Sequence, residues 1–299
     1  MTPSTDASLV SVVIPTLCRY DALKTTLECL AASAYSNMEI LIVDQTPGGP
    51  PAGFPVSREN ARWLRQEKMS LPLARNYGIR ESRGALILFL DDDVTFGPEF
   101  VGEHVTAHLA RPEAAAIAGR IKLVEPDFWM AQEKVAFLDA RTAKFHANFD
   151  KSAAGPVDFF CGCNFSLKRE AAEVVGGFDE TFQGNALYEE IDYCLRLRKK
   201  GGLIYFHPAA MLTHLRETAG GCRKDAGARY HFAKFYNTAY FYAKHLFDGN
   251  PFPFLGAMKN EIEFFTRKEK GHAFLRAALY VLALKLGGLR GLLKRLLPI

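Results

Sequence analysis

Residues 85–94 of the chain read Ala85-Leu86-Ile87-Leu88-Phe89-Leu90-Asp91-Asp92-Asp93-Val94. Six apolar residues run straight into three carboxylates. An unbroken apolar run of this length, bounded by turn residues, is the pattern of a strand buried on both faces, as in a parallel sheet. Adjacent carboxylates raise one another's proton affinity unless a cation or a positive dipole compensates. The acids are therefore either a solvated turn capping the next helix or one wall of a cation site. If the pleat persists, Asp91 and Asp93 point to the same side, and hard oxygen ligands of this kind select Mg2+, Mn2+ or Ca2+.

Working outward, Leu9 to Thr16 (LVSVVIPT) and Met38 to Asp44 (MEILIVD) have the same buried-strand character. Between them Leu23, Leu27, Leu30 and Ala31 recur at helical spacing from about Tyr20 to Ala34, which makes a βαβ unit with parallel strands. Thr46 to Pro55 is a Pro/Gly loop, ARWLRQ a short third strand, and Leu71 to Gly84 a helix with Pro72 in its first turn. Three strands then end in Pro15-Thr16, Asp44 and Asp91-Asp92-Asp93. In a parallel sheet these ends share one edge, where open α/β sheets bind ligands. Farther on, VDFFCGCNFSLKRE reads as a strand entering a helix, a helix spans about Glu189 to Lys200, and LIYFHP and AMLTHL read as two short strands. Arg216 to Ala228 reads as a mobile loop, followed by an aromatic-rich helix ending near Phe247.

The composition is that of an ordinary globular chain: 299 residues, 48% hydrophobic, with 37 basic and 33 acidic residues for a net charge of +4. That balance argues against a polyelectrolyte binder of nucleic acid. The first residues carry no basic and apolar secretory pattern, so a cytoplasmic location is expected. Six scattered cysteines suit reduced thiols rather than a disulfide framework. Cys161 and Cys163 have no second Cys or His pair at zinc-site spacing. His104 and His108, at i and i+4 with no Glu between, read as a helix face.

The ordered set SVVIPT, EILIVDQT, LARNYGIRESRGALILFLDDDV, CGCNFSLKRE, GGFDETF, YEEIDYCLRLRKKG and HPAAMLTH closely resembles glycosyltransferase family 2 over roughly Val10 to Phe247. The resemblance implies the GT-A fold, a Rossmann-like, mostly parallel central sheet flanked by helices. Residues 1–247 would form the catalytic domain and 248–299 a helical extension. It also implies an inverting, metal-dependent transfer from a nucleotide sugar, expected to be a UDP-sugar, to a glycan or lipid-linked hydroxyl.

By the same resemblance, Pro15, Thr16 and Arg19 form the first nucleotide loop and Asp44 accepts from the base. Arg75 and Asn76 lie beside the nucleotide. Asp91 faces the ribose, Asp93 binds Mn2+ or Mg2+ together with His214, and Asp92 shapes the site. Glu190, with Glu189 as a partial substitute, stands where the family's base is usually Asp. Gly162, Asn164, Asp192 and Arg196 belong to the donor-sugar and acceptor side. Arg216, Arg223 and Lys224 lie in a loop expected to close over the diphosphate. Two other classes remain open: a nucleotidyltransferase-like phosphate enzyme, disfavoured because PTLCRYD lacks a glycine-rich loop, and a nonenzymatic nucleotide- or carbohydrate-binding protein.

From Arg267 to Ile299 there are eight Lys/Arg and one Glu among apolar residues. No window reaches the length of an uncharged membrane span. Lys285 interrupts the apolar face, and Gly287, Gly288 and Gly291 weaken the helix. The preferred expectation is a helix lying on the inner face of a membrane, against a core-packing or oligomer role.

Overall fold

The computed structural model describes residues 8–54, 59–123, 134–139, 144–217, 220–221, 228–245 and 273–296. Strands β1 (Val10–Thr16), β2 (Met38–Asp44) and β4 (Leu86–Leu90) are buried almost throughout, as continuous apolar runs dictate. β1 lies between β2 and β4, parallel to both, with Thr16 beside Asp44. β3 (Ala61–Arg65) adds to the outer side of β2. Helices α1 (Tyr20–Ala31) and α2 (Leu71–Glu81) are the crossovers. Ser70 caps α2 by accepting from Leu73 N–H, and Pro in the first turn gives up an N–H that has no helical partner there.

After β5 (Val94–Phe96) and α3 (Phe100–Ala110), the sheet continues through β6 (Ala114–Leu123), with β7 (Phe137–Asp139) and β8 (Lys144–His146) forming a separate hairpin. β9 (Gly155–Val157), β10 (Asn164–Lys168), α4 (Arg169–Val175), α5 (Glu189–Lys199), β11 (Leu203–His214) and α6 (Ala228–His245) follow, and α7 spans Ala273–Leu296. The sheet order is β3-β2-β1-β4-β10-β6-β11-β5, with β9 also on β11. β10 inserts antiparallel between β4 and β6, and β11 runs parallel to β6.

Two differences from the sequence expectation have physical causes. LIYFHP and AMLTH are one strand, whose register on β6 shifts between His207 and Met211. Pro208 has no N–H to give the ladder, so the chain bulges there and resumes pairing. β6, AAAIAGRIKL, carries no local strand signal because alanine favours helix. Its slot between β10 and β11 imposes the extended form.

The core around β4 and β10 is aromatic. Phe89 stacks on Phe165 at 4.7 Å, Phe160 stacks on Phe165 at 3.9 Å, and Phe178 packs edge-on to Phe89. His104 and His108 lie on the buried face of α3. His104 meets Ser166 Oγ at 2.9 Å and Asn164 Oδ1 at 3.0 Å, while His108 meets Ser166 Oγ at 3.0 Å. Burial pushes their pKa values down to about 3 and about 4.

Unfolded imidazoles take up protons below about pH 6.5, whereas these two stay neutral in the folded state. Their contribution to stability is therefore lost as pH falls from about 6.5 toward 4. The stability gap between wild type and His108→Gln in urea unfolding is expected to narrow from pH 7 to pH 5. An equal gap at both values would overturn this reading.

Candidate active site

The C-terminal ends of β1, β2, β4 and β11 and the start of β10 surround a cleft of about 340 Å³. One wall comes from the β1–α1 loop (Pro15, Thr16, Leu17, Arg19) with Gln45, Asp91, Asp92 and His214. The other comes from Leu71 and Arg75 of α2, Cys161-Gly162-Cys163 ahead of β10, and Asn185, Leu187 and Glu190 at the start of α5. Gly221 and Tyr230 complete the rim. Three of the bordering loops hold non-glycine residues in left-handed backbone: Cys18, Ala186 and Tyr188, and Arg216. Tyr188 is kept there by ring contacts with Phe241 and Phe145. Strain of this kind persists where surrounding packing enforces it.

The three acids of the opening stretch have separate surroundings. Asp92 accepts from Thr16 Oγ1 at 2.8 Å and Arg19 Nη1 at 3.2 Å, and burial pushes its pKa up to about 7 even with Arg19 beside it. Asp93 is fully buried: one oxygen meets His214 Nε2 at 3.1 Å, the other accepts from Arg19 at 3.1 Å and from Glu217 N–H at 2.9 Å. Burial opposes ionisation of Asp93, but the contacts with His214 and Arg19 hold its carboxyl below the usual range. Asp91 keeps about a third of its side chain exposed, 3.7 Å from His214 Nε2.

Burial disfavours charge on His214, yet the hydrogen bond to Asp93 and the field of Asp91 outweigh it and raise the ring's pKa. The compensating charge demanded by three adjacent carboxylates is thus supplied by Arg19 and His214. From the opposite side, α1 grips the turn through Thr26, whose hydroxyl donates to Asp92 O at 2.9 Å and accepts from Val94 N–H at 3.2 Å.

Asp91, Cys163 and His214 bring ligand atoms within 4.8 Å of one another, a donor set able to hold a divalent ion. The sequence reading set both cysteines aside for want of zinc spacing. Cys161 and Cys163 lie 3.8 Å apart at Sγ and line the cleft beside the acids. Their only sequence signal was the break that Cys-Gly-Cys makes in front of β10.

Glu189 and Glu190 are adjacent yet face different surroundings. Glu189 is fully buried in an ion pair with Arg75, whose guanidinium packs against the rings of both Phe165 and Phe178 and donates to Gly162 O at 3.0 Å. A Cβ at Gly162 would fall 2.3 Å from Arg75 Nη2, so any larger residue would push the guanidinium from its seat against Glu189. Glu190 opens on the cleft. Its pKa is raised by burial, against the charge of Arg75 and a hydrogen bond from Gly162 N–H.

Several expected site residues lie away from the cleft. Asn76 clips α2 to the loop after α4, donating to Phe178 O and accepting from Phe178 N–H. Asn164 donates to Arg120 O and Ala210 O and meets His104, joining β6, β11 and α3. Asp192 binds Arg196 at 2.8 Å, His245 at 2.7 Å and Lys244, fastening α6 to α5; burial opposes its ionisation, but these partners hold it well below the usual range.

Asp44 is also fully buried. It accepts from Tyr20, Trp63, Arg65 and Thr46 N–H, while its neighbour Gln45 reaches the cleft. Arg216 follows β11, and Arg223 and Lys224 lie outside the described residues. Gly221 N–H donates to Leu17 O at 2.8 Å, so the chain after β11 returns across the first loop.

The family model "Glycosyl transferase family 2" matches residues 11–176. Validoxylamine A glucosyltransferase of Streptomyces hygroscopicus subsp. jinggangensis is 30% identical over 220 residues, covering 64% of this chain and 52% of that protein. The glucosyl-dolichyl phosphate glucuronosyltransferase of Haloferax volcanii is 24% identical over 222 residues, covering 69% of this chain and 68% of its own. The chain spans about a quarter to a half of the length of the first curated relatives it matches. Among solved structures, the mannosyltransferase PcManGT from Pyrobaculum calidifontis, in complex with GDP-Man and Mn2+, superposes with a TM-score of 0.58 at 15% identity. That match covers 97% of this chain and 88% of the other. The shared architecture is the GT-A fold.

Proposed function

The chain belongs to glycosyl transferase family 2, and from that premise we propose that it is an inverting transferase moving a sugar from a nucleoside diphosphate donor to an acceptor hydroxyl. The observation that carries this reading is the convergence of Asp91, His214 and Glu190 on one cleft floored by the Thr16–Arg19 loop. The nucleotide occupies the side of Pro15, Thr16 and Arg19, where Gln45 reaches the cleft and Asp44 lies buried beneath. A UDP-sugar is the first candidate on the family resemblance; Asp44, buried and already accepting from Tyr20, Trp63, Arg65 and Thr46 N–H, would have to exchange one of these donors to accept from the base.

Asp91 and His214 would hold Mn2+ or Mg2+, with Cys163 beside them; Asp93 contacts His214 Nε2 and would give up that contact if the same nitrogen took the ion. The carboxylate of Asp91 and the imidazole of His214 fit such an ion, and the Cys163 thiol is the third donor within reach of both. When bound, the ion neutralises charge developing on the leaving diphosphate. Arg19 adds cationic character on the same side.

Glu190 takes the proton of the acceptor hydroxyl as that oxygen attacks the anomeric carbon opposite the diphosphate. Its raised pKa brings it nearer to the working range of a general base, and the N-terminal dipole of α5 helps keep it ionised. Gly162 N–H aims it. The acceptor is a glycan or a lipid-linked sugar, and the cytoplasmic face of a membrane is the location this reading implies.

A thermal-shift series with UDP, GDP and UDP-sugars, with and without Mn2+ or Mg2+, tests the donor side. Ligand at about 100 times its Kd adds about 2.7 kcal/mol to the folded state. UDP is expected to raise the midpoint in the presence of metal and much less without it. Indifference to every nucleotide would overturn the reading.

A further inference from the structure

Helix α7 (Ala273–Leu296) carries Arg276, Lys285, Arg290, Lys294 and Arg295 and no acidic residue. It packs along α6 at glycine: a Cβ on Gly287 would lie 2.3 Å from Tyr236 O, and one on Gly291 2.4 Å from Tyr240 O. Backbones approach this closely only where no side chain intervenes. The glycines that weaken the helix in isolation are therefore its contact face, and they fix its rotation.

With Gly287 and Gly291 turned inward, Val281, Leu282, Leu286, Leu289 and Leu293 are turned out, each about half exposed. Leu282, Leu286, Leu289 and Leu293 are spaced by four, three and four residues, one continuous stripe on a helix. Lys285 and Arg290, both exposed, flank it on either side.

Charge decides what covers such a face. A second copy of this chain in a two-fold contact would set Lys285 and Arg290 against their own kind, with no acid on α7 to pair them. An anionic bilayer supplies acyl chains for the leucines and negative headgroups for the flanking cations. Among the described residues no helix is long and apolar enough to cross a membrane, so α7 would lie in the surface plane.

The pairing of Gly287 with Tyr236 and of Gly291 with Tyr240 means that α6 and α7 run parallel. The same offset sets Val281 level with Tyr230, which lines the cleft. The stripe thus begins about one helix diameter, ~10 Å, from the cleft wall. We propose that α7 seats the protein on an anionic membrane surface through the Val281–Leu293 stripe and so holds the cleft at headgroup level. There it meets a lipid-linked acceptor; that last consequence rests on the transferase reading above.

Flotation of the full chain with phosphatidylcholine vesicles, alone or mixed with phosphatidylglycerol, tests the seat. The protein is expected to float with the mixed vesicles and far less with phosphatidylcholine alone. Leu286→Gln/Leu293→Gln should weaken that binding by roughly tenfold or more, and Lys285→Glu/Arg290→Glu should remove the preference for anionic lipid. Both variants should keep the metal-dependent thermal shift with UDP, which separates failure of the seat from failure of the donor reading. Wild type that stays unbound with both vesicles, or a leucine variant that floats equally well, would overturn the proposal. So would a wild-type dimer in light scattering that the leucine variant dissociates, since a second copy would then cover the stripe.

Discussion

Glu190→Gln is expected to cut sugar transfer by about 100-fold to 10,000-fold, the usual contribution of a positioned general base. It should leave the metal-dependent thermal shift with nucleotide in place. The amide keeps the shape of the side chain and can still accept from Gly162 N–H, but it cannot take the acceptor proton. Glu190 is the member of the acidic pair that opens on the cleft, whereas Glu189 is buried against Arg75.

The pH dependence follows from the direction of the Glu190 shift. Burial raises its pKa, so the base is lost to protonation as pH falls through a value above the ordinary glutamate range. In wild type the transfer rate should therefore decline on the acid side sooner than an exposed glutamate would allow. A Glu190→Gln enzyme that turned over at the wild-type rate would remove the assignment of the base.

Glu189→Gln or Arg75→Met alone is expected to destabilise the fold by about 3–5 kcal/mol, because each leaves its partner as an uncompensated buried charge. The Arg75→Met/Glu189→Leu double variant should recover part of that loss, since no charge is then stranded. Urea unfolding of the two single variants and the double one measures the coupling. Additive losses would show that the pair is not a unit. Arg75 also bonds to Gly162 O, so the single Arg75 variant should loosen the Gly162 segment that aims Glu190.

The elements around the site were legible to different degrees. β1, β2 and β4 followed from apolar runs ending in Thr16, Asp44 and Asp91, because a strand buried on both faces writes its burial into consecutive residues. The sequence expectation that Asp91 and Asp93 share a side rested on a pleat that in fact stops at Leu90; the turn that follows sets Asp92 on Thr16 and brings the other two to His214, with Arg19 bridging Asp92 and Asp93. β6 stayed hidden, since its alanines say nothing local about a slot between β10 and β11.

By itself the sequence determined the sheet edge and the acids placed along it, for these depend on apolar run length within a few residues. The tertiary structure decided which polar groups remain open to a ligand. Arg19 and His214 saturate Asp93, Arg75 consumes Glu189, and Lys244 and His245 close on Asp192, leaving Asp91 and Glu190 facing the cleft beside two thiols. A buried carboxylate is satisfied by whatever donors the fold brings to it, and here those donors come from segments 52 to 121 residues away. The same holds for α7, where the carbonyls of Tyr236 and Tyr240 turned helix-weakening glycines into a contact face and left the leucines outside.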